Sequence, residues 1–414
     1  MMEVVHVAPV RPLGPVRSQD RIEAIDILRG VAILGILIVN MGLFSMPEVI
    51  GHRSWSSLAD EGAQRLILFT AQEKFKTLFS LLFGLGLAVQ MMRAEARGVG
   101  FVPLYARRLG VLFLIGAMHF VFLWDGDILH DYALLGCVLL LFRHRSLDTL
   151  LIWAGVALAI PALLYSLTTA SAITGRVSQP LATWAAYEIG TDNPGGAAET
   201  TRLYSQGTYA DMVKTRAQEF PGDLLPDTDD AFVFAMFLLG LYAGRRKLFH
   251  DVSANRFLFR RVLGWGLGLG IAGNVVFAIG GAYDPTPGKV MENVGRLCLV
   301  IAAPALSFSY AAAIALLSQR TRWHRWLKPL AAVGRTALSN YLMQSVFCTV
   351  IFYGAGLALY GRVGPFSGLL LTFGIFLVQV PLSVWWLRRF QFGPIEWLWR
   401  SLTYWRLQPM RVRV

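Results

Sequence analysis

The densest group of side chains that could perform acid–base chemistry lies in the segment "GAMHFVFLWDGDILHDYALLG". It contains His119, Asp125, Asp127, His130 and Asp131. A histidine has an ordinary pKa of about 6.5, and a nearby carboxylate can orient its ring to act as a general base. We therefore predict that His119 is the base for a hydroxyl or amine nucleophile. Asp127 is predicted to orient it or to hold the acceptor.

Two other uses of these side chains are open. The acidic residues could be solvated or could cap the helix that follows them, and His119 could bond to neighbouring backbone. Histidine and aspartate together could also bind a metal. The chain has no H-x-x-x-H or C-x-x-C spacing, however, so we expect no metal site.

Polar residues in the first two apolar runs are candidates for binding. Arg29 follows Asp26 by three positions and can pair with it on one helix face. Asn40 lies about three turns further on and either holds helices together or orients a substrate. Lys74 and Lys76 either snorkel to an interface or grip an anionic head group or a phosphate.

A third polar stretch is "VGRTALSNYLMQSV", which contains Arg335, Asn340 and Gln344. Asn340 and Gln344 are four positions apart, so in a helix they face the same way. Their shared face is either a contact with another helix or the wall of a cavity. We include all three residues among the candidate binding residues.

The composition requires membrane helices to position these groups. The 414 residues are 55% hydrophobic and 15% charged, with a mean hydropathy of +0.52. A soluble domain carries about 25% charged residues. The net charge of +12 would suggest nucleic acid as a partner of a soluble protein. Because the basic residues lie between apolar runs, we expect a lipid bilayer as the partner and no nucleic acid.

Apolar runs of spanning length predict an all-α, polytopic transmembrane bundle of about ten spans. The asymmetry of Lys and Arg between loops predicts an N-in, C-in orientation. We divide the chain into a cytoplasmic tail (1–20), an N-terminal bundle (21–172), an extracytoplasmic loop (173–229), a C-terminal bundle (230–390) and a cytoplasmic, interfacial amphipathic tail (391–414). The predicted spans are 27–46, 66–92, 103–123, 126–142, 148–172, 230–248, 258–282, 291–318, 334–356 and 366–388.

Five blocks of the sequence resemble the YeiB-like family of bacterial inner-membrane proteins (domain of unknown function 418). They are "RIEAIDILRGVAILGILIVNM", "KFKTLFSLLFGLGLA", "RRLGVLFLIGAMHFVFLWDGDILHDYALLG", "VGRTALSNYLMQSV" and "GPIEWLWRSLTYW". The resemblance runs from about residue 20 to 407. It implies a multi-pass protein of the bacterial inner membrane.

The first block is also similar to that of a wider superfamily of membrane acyltransferases. That group includes the lysosomal heparan-α-glucosaminide N-acetyltransferase and the acyltransferase-3 enzymes that O-acylate surface sugars. The similarity implies transfer of an acyl group from a cytoplasmic CoA donor by way of a membrane histidine. Here Ile25 replaces the usual Leu of the "LDxLRG" start, and Asn40 stands where the sugar-acylating branch has its histidine. The predicted base therefore moves to His119.

We thus expect a membrane acyltransferase that acts on a small-molecule, lipid or sugar acceptor. Acyl-CoA would be the donor substrate, and we expect no permanently bound cofactor. The alternative is a proton-coupled transporter, in which His119 and Asp127 form a proton relay. The sequence leaves a homo-oligomer open.

Overall fold

A computed structural model describes residues 21–46, 57–174, 194–280 and 290–412. Within these ranges the regular elements are helices, and the only extended pairing is an isolated bridge between Phe390 and Arg411. The predicted all-α class is confirmed. The predicted tail 1–20 and parts of the predicted loop 173–229 fall outside the described residues.

The helices of the described chain follow one another in sequence order. They are α1 (Glu23–Ser45), α2 (Leu58–Thr70), α3 (Lys74–Glu95), α4 (Phe101–Phe122), α5 (Leu129–Leu139, continued by a 3-10 turn Leu140–Phe142), α6 (Leu147–Thr174), α7 (Pro194–Gln206), α8 (Tyr209–Asp223), α9 (Thr228–Arg245), α10 (Arg256–Gly280), α11 (Val290–Ser318), α12 (Thr321–Arg335), α13 (Ala337–Phe352), α14 (Pro365–Leu387) and α15 (Pro394–Tyr404).

Each of the ten predicted spans coincides with a helix or a pair of helices. Seven segments of the described chain are long and apolar enough to cross a membrane, and α5 with its 3-10 turn and α13 are shorter apolar helices. The protein is therefore a polytopic helical bundle. The remaining predicted span, 230–248, corresponds to α9, whose first turn contains Asp229 and Asp230. The N-in, C-in orientation stays a prediction.

The second predicted span, 66–92, is two helices rather than one. The helix is interrupted between α2 and α3, where Glu73 adopts a left-handed φ of 66°. The side chain of the buried Lys74 extends back toward α2, and its Nζ donates to the Leu68 carbonyl at 2.7 Å. A carbonyl freed by the break is thus satisfied within the protein, as a polar group inside a bilayer must be.

Small residues let the central helices approach closely. Where α1 meets α12, a Cβ on Gly30 would overlap the Leu330 carbonyl, and one on Gly334 would overlap the Asp26 carbonyl. The α3–α9 contact works in the same way, with Gly240 against the Leu81 carbonyl. The first of these contacts holds α1 closely against α12.

Substituting Gly240 with Ala should therefore destabilise the bundle. The new methyl group has no free volume and would push α9 away from the backbone of α3, at a cost of about 1–3 kcal/mol. We expect a lower Tm in detergent micelles, followed by intrinsic fluorescence. Gly268→Ala on α10 is the control, because nothing lies within 4 Å of its added Cβ. An equal Tm for both variants would contradict the packing argument.

Candidate functional site

Three buried side chains form a hydrogen-bonded chain near the end of α4. His119 Nδ1 lies 2.7 Å from Asp127 Oδ1, and His119 Nε2 lies 2.8 Å from Ser345 Oγ. His119 comes from the last turn of α4, Asp127 from the α4–α5 turn and Ser345 from α13. None of the three is more than 6% exposed. The order carboxylate, imidazole, hydroxyl is that of a base oriented for an adjacent hydroxyl.

Asp127 is held in place by further hydrogen bonds from the start of α5. Its Oδ2 accepts from the backbone N–H groups of Leu129 and His130, at 2.9 and 3.2 Å, and from His130 Nδ1 at 2.9 Å. The carboxylate therefore accepts from the first backbone N–H groups of α5 and also contacts the His119 ring. Because Oδ1 faces Nδ1, we assign the imidazole proton to Nδ1, which leaves Nε2 as the basic nitrogen that accepts from Ser345.

A cavity of about 1430 Å³ lies next to this chain of bonds. It runs along α1, since residues near both ends of that helix line it, and Arg29 and Asn40 are among them. Asp127, Trp124 and Tyr341 line it near the site. His119 lies one layer behind them, with its ring centroid 6.4 Å from that of Trp124 and 5.2 Å from that of Tyr341.

Guanidinium groups surround the part of the cavity at the start of α1. Asp26 is the carboxylate that pairs with two of them, at 3.1 Å from Arg21 and 3.2 Å from Arg29. Glu396 is engaged elsewhere, since it accepts from the first backbone N–H groups of α13. The arginines that line the cavity are Arg21, Arg29, Arg93, Arg108, Arg335 and Arg400, together with Arg296 on α11, which pairs with Glu292.

Two of these arginines lack a full set of hydrogen-bond or charge partners. The Nε of Arg335 is buried and has no hydrogen-bond partner among the described residues. Burial, and then the positive charges of Arg108 and Arg21, lower the pKa of Arg400 to about 9. An anion in this part of the cavity would relieve the repulsion and supply acceptors. We call this part of the cavity the arginine end; the predicted orientation places it at the cytoplasmic side.

The structure brings some of the predicted binding residues to the cavity and not others. Arg29, Asn40, Lys76 and Arg335 line it. Lys76 is held by Glu73 at 2.7 Å and by Asp229 at 2.6 Å. Lys74 does not line it, because its Nζ is bonded to backbone and lies over the Phe277 ring, 5.6 Å from the centroid.

Asn340 and Gln344 share one face, as their spacing predicts, but that face meets α14. Asn340 Nδ2 donates to Ser383 Oγ at 3.0 Å, and Gln344 Nε2 donates to Gln379 Oε1 at 2.8 Å. Neither residue lines the cavity. In this structure the two amides join helices, which is the first of the two roles considered for them.

Sequence reasoning missed two residues of the site. Ser345 follows Gln344 directly in the same polar stretch, and only its distance to His119 distinguishes it from its neighbours. Tyr341 lines the cavity, and its buried hydroxyl has no hydrogen-bond partner among the described residues. A buried hydroxyl without a partner is uncommon and points to a role with a ligand.

Fold and site together define a multi-pass membrane protein with a buried polar site beside a large internal cavity. Comparison with known proteins identifies its family. The model of "Protein of unknown function (DUF418)" matches residues 243–406. The chain is 38% identical to the uncharacterized protein YxaH of Bacillus subtilis (strain 168), over 96% of this chain and 98% of that one.

A second relative is the uncharacterized protein YeiB of Escherichia coli (strain K12). It is 29% identical, over 93% of this chain and 96% of its own length. The chain therefore belongs to the YeiB-like, DUF418 family. The resemblance found in the five sequence blocks is confirmed.

Proposed function

We propose that this protein is an acyltransferase of the bacterial inner membrane. It would move an acyl group from a CoA-type donor to an extracytoplasmic or membrane-embedded acceptor. The observation that carries the proposal is the cavity along α1, which is lined by the arginine end and by Asp127, the carboxylate that holds His119. A donor with phosphates at one end and a reactive thioester at the other matches that distribution of charge.

His119 is the general base, and Ser345 is the hydroxyl that it activates. The Ser345 oxygen attacks the thioester carbon, so that a C–O bond forms and the C–S bond breaks. The serine proton moves to His119 Nε2 and from there to the leaving thiolate. The acceptor hydroxyl or amine then attacks the carbonyl carbon of the seryl ester and loses its proton to Nε2. A bond from the acceptor to the acyl carbon forms, the seryl C–O bond breaks, and Nε2 returns the proton to the Ser345 oxygen. Because Asp127 holds the proton on Nδ1, Nε2 is the nitrogen that accepts and returns the proton in each step.

Tyr341 supports this transfer as a hydrogen-bond donor. Negative charge develops on the thioester oxygen as Ser345 attacks, and a donor aimed at that oxygen lowers the barrier. The Tyr341 hydroxyl is free of protein partners within the described chain and lies on the cavity wall. In this proposal Trp124 and Tyr341 part to admit the acyl group to Ser345.

The arginine end binds the phosphates of the donor. Guanidinium groups suit phosphate because they offer several N–H donors in one plane, and a hydrogen bond between charged groups contributes about 1.5–3 kcal/mol. Substituting Arg335 with Gln should therefore raise the KM for acyl-CoA about tenfold or more, with a smaller effect on kcat. Steady-state kinetics across donor concentrations would measure both constants.

Arg97→Gln is the matched control for Arg335→Gln. Arg97 is exposed, follows the end of α3 and does not line the cavity. Its substitution should leave both constants unchanged. An unchanged KM in Arg335→Gln would remove this arginine from donor binding.

The proposal can be tested before the acceptor is known. Purified protein in lipid nanodiscs would be incubated with acetyl-CoA and with longer acyl-CoA species, and then analysed by peptide mass spectrometry. We expect release of free thiol and an acyl group on Ser345. Uptake of a solute into proteoliposomes without any acyl donor, with no thiol released, would favour the proton-coupled transporter instead.

A further inference from the structure

We infer that His130, Asp131 and Asp223 form a binding site for a divalent transition-metal cation, with zinc as the best match. The sequence predicts no metal, because its histidines and cysteines lack the usual spacing. The fold supplies what the spacing lacks. His130 and Asp131 lie in the first turn of α5, and α8 brings Asp223 to them from the segment between the two bundles.

The three donor atoms already converge. His130 Nε2 lies 2.8 Å from Asp223 Oδ2 and 3.2 Å from Asp131 Oδ1. One ligand atom from each residue can be chosen so that all lie within 4.8 Å of one another. Zinc bonds of about 2.0–2.2 Å in a tetrahedron place neighbouring ligand atoms roughly 3.4 Å apart. Small outward movements of the two carboxylates would therefore admit the ion, and both are partly exposed and able to move.

The state of His130 points independently to a ligand. Its side chain is fully buried, yet Nε2 has no hydrogen-bond partner in the described structure. The two carboxylate oxygens are close enough, so it is the direction of the N–H that fails to match either of them. A protonated imidazole donating to Asp223 would need that direction to match. A ring nitrogen whose N–H direction matches neither of two nearby carboxylate oxygens is instead free to share a metal ion with both.

The hydrogen bond of the other ring nitrogen supports metal binding by Nε2. His130 Nδ1 lies 2.9 Å from Asp127 Oδ2, which accepts its proton. Metal-binding histidines usually donate their second N–H to a carboxylate or a carbonyl, and this fixes the ring and leaves the ligating nitrogen free. Asp127 would thus be shared, with one oxygen toward His119 and the other toward the metal-binding histidine.

The choice of ion follows from the donor set. One imidazole and two carboxylates suit zinc better than calcium or magnesium, which prefer shells made of oxygen alone. Asp131 and Asp223 line the cavity. With three protein ligands, the fourth position of a zinc ion would open toward that cavity, where a water or a substrate oxygen could bind.

Metal binding can be measured without any activity assay. Full-length protein in detergent micelles, with its affinity tag removed, would be treated with a chelator and titrated with zinc chloride by calorimetry. We expect one equivalent bound per chain. Cobalt(II) in the same site should show the strong visible absorption of a tetrahedral ion. Calcium and magnesium should not compete at similar concentrations.

Asp223→Asn is the main variant, because its exposed side chain can be changed with little effect on folding. Loss of even a supporting group costs a metal site about 10- to 100-fold in affinity, so this variant should lose at least that much. Asp131→Asn should behave alike. Glu219→Gln is the control, since it removes an exposed carboxylate one turn earlier on α8.

Saturable binding lost in both variants and kept in the control would support the site. Absence of saturable zinc binding in the native protein would overturn it and leave His130 as an imidazolium among three carboxylates. Binding unchanged by Asp223→Asn and Asp131→Asn would overturn it as well, since the ion would then lie elsewhere. Neither result depends on the acyl transfer proposed above.

Discussion

Replacing His119 with Gln is expected to lower acyl transfer by about 10²–10⁴-fold, the range that a positioned general base contributes. The glutamine can still occupy the space between Asp127 and Ser345, but its amide cannot accept and return a proton near neutral pH. The variant should release little thiol from acyl-CoA and carry no acyl group on Ser345. Thiol release and peptide mass spectrometry would measure the two losses.

The same substitution should have a limited effect on the fold. The amide can replace part of the lost hydrogen bonding, and a buried group left without a partner costs about 1–3 kcal/mol. We therefore expect the variant to remain in the membrane fraction with a lower Tm. His144→Gln is the control, because His144 is exposed and does not line the cavity. Wild-type transfer by His119→Gln would remove the imidazole from the mechanism.

Substituting Tyr341 with Phe should lower the rate of acyl transfer without lowering the stability of the fold. Removing one donor to a developing oxyanion costs about 10²–10³-fold in kcat. The hydroxyl makes no hydrogen bond to the described protein, however, so its removal takes away an unsatisfied buried group. The free energy of unfolding should stay the same or rise slightly. Transfer kinetics and thermal unfolding of one preparation would test both.

Tyr310→Phe is the matched control for that experiment. The Tyr310 hydroxyl donates to the Thr70 carbonyl at 3.1 Å, away from the site. This variant should lose about 1 kcal/mol of stability and keep its transfer rate. If Tyr341→Phe were to behave in the same way, the tyrosine would have an ordinary structural role and the oxyanion assignment would be wrong.

The sequence predicts the helices well because spanning a bilayer demands long apolar runs. It also predicts the His119–Asp127 pair, since eight positions across one turn keep the two residues close. It does not predict Ser345, which lies 226 positions from His119 and meets it only through the packing of α13. That partner depends on the arrangement of several helices, about which local spacing carries no information.

The polar residues of α13 show a second limit. Spacing correctly places Asn340 and Gln344 on one face, but it does not say whether that face meets a helix or a cavity. The contacts with Gln379 and Ser383 of α14 decide the question. The candidate metal ligands are a third case, because Asp223 joins His130 and Asp131 only through the docking of α8.

Acyl transfer through Ser345 is tested most directly by the fate of a labelled acetyl group. Protein in nanodiscs would be given acetyl-CoA labelled in the acetyl carbon, quenched with acid and digested, in the native form and as His119→Gln and Ser345→Ala. We expect label on the Ser345 peptide of the native protein and on neither variant. Thiol release with no labelled peptide, undiminished in Ser345→Ala, would contradict the role of the serine. No thiol release from any acyl-CoA would contradict the acyltransferase itself.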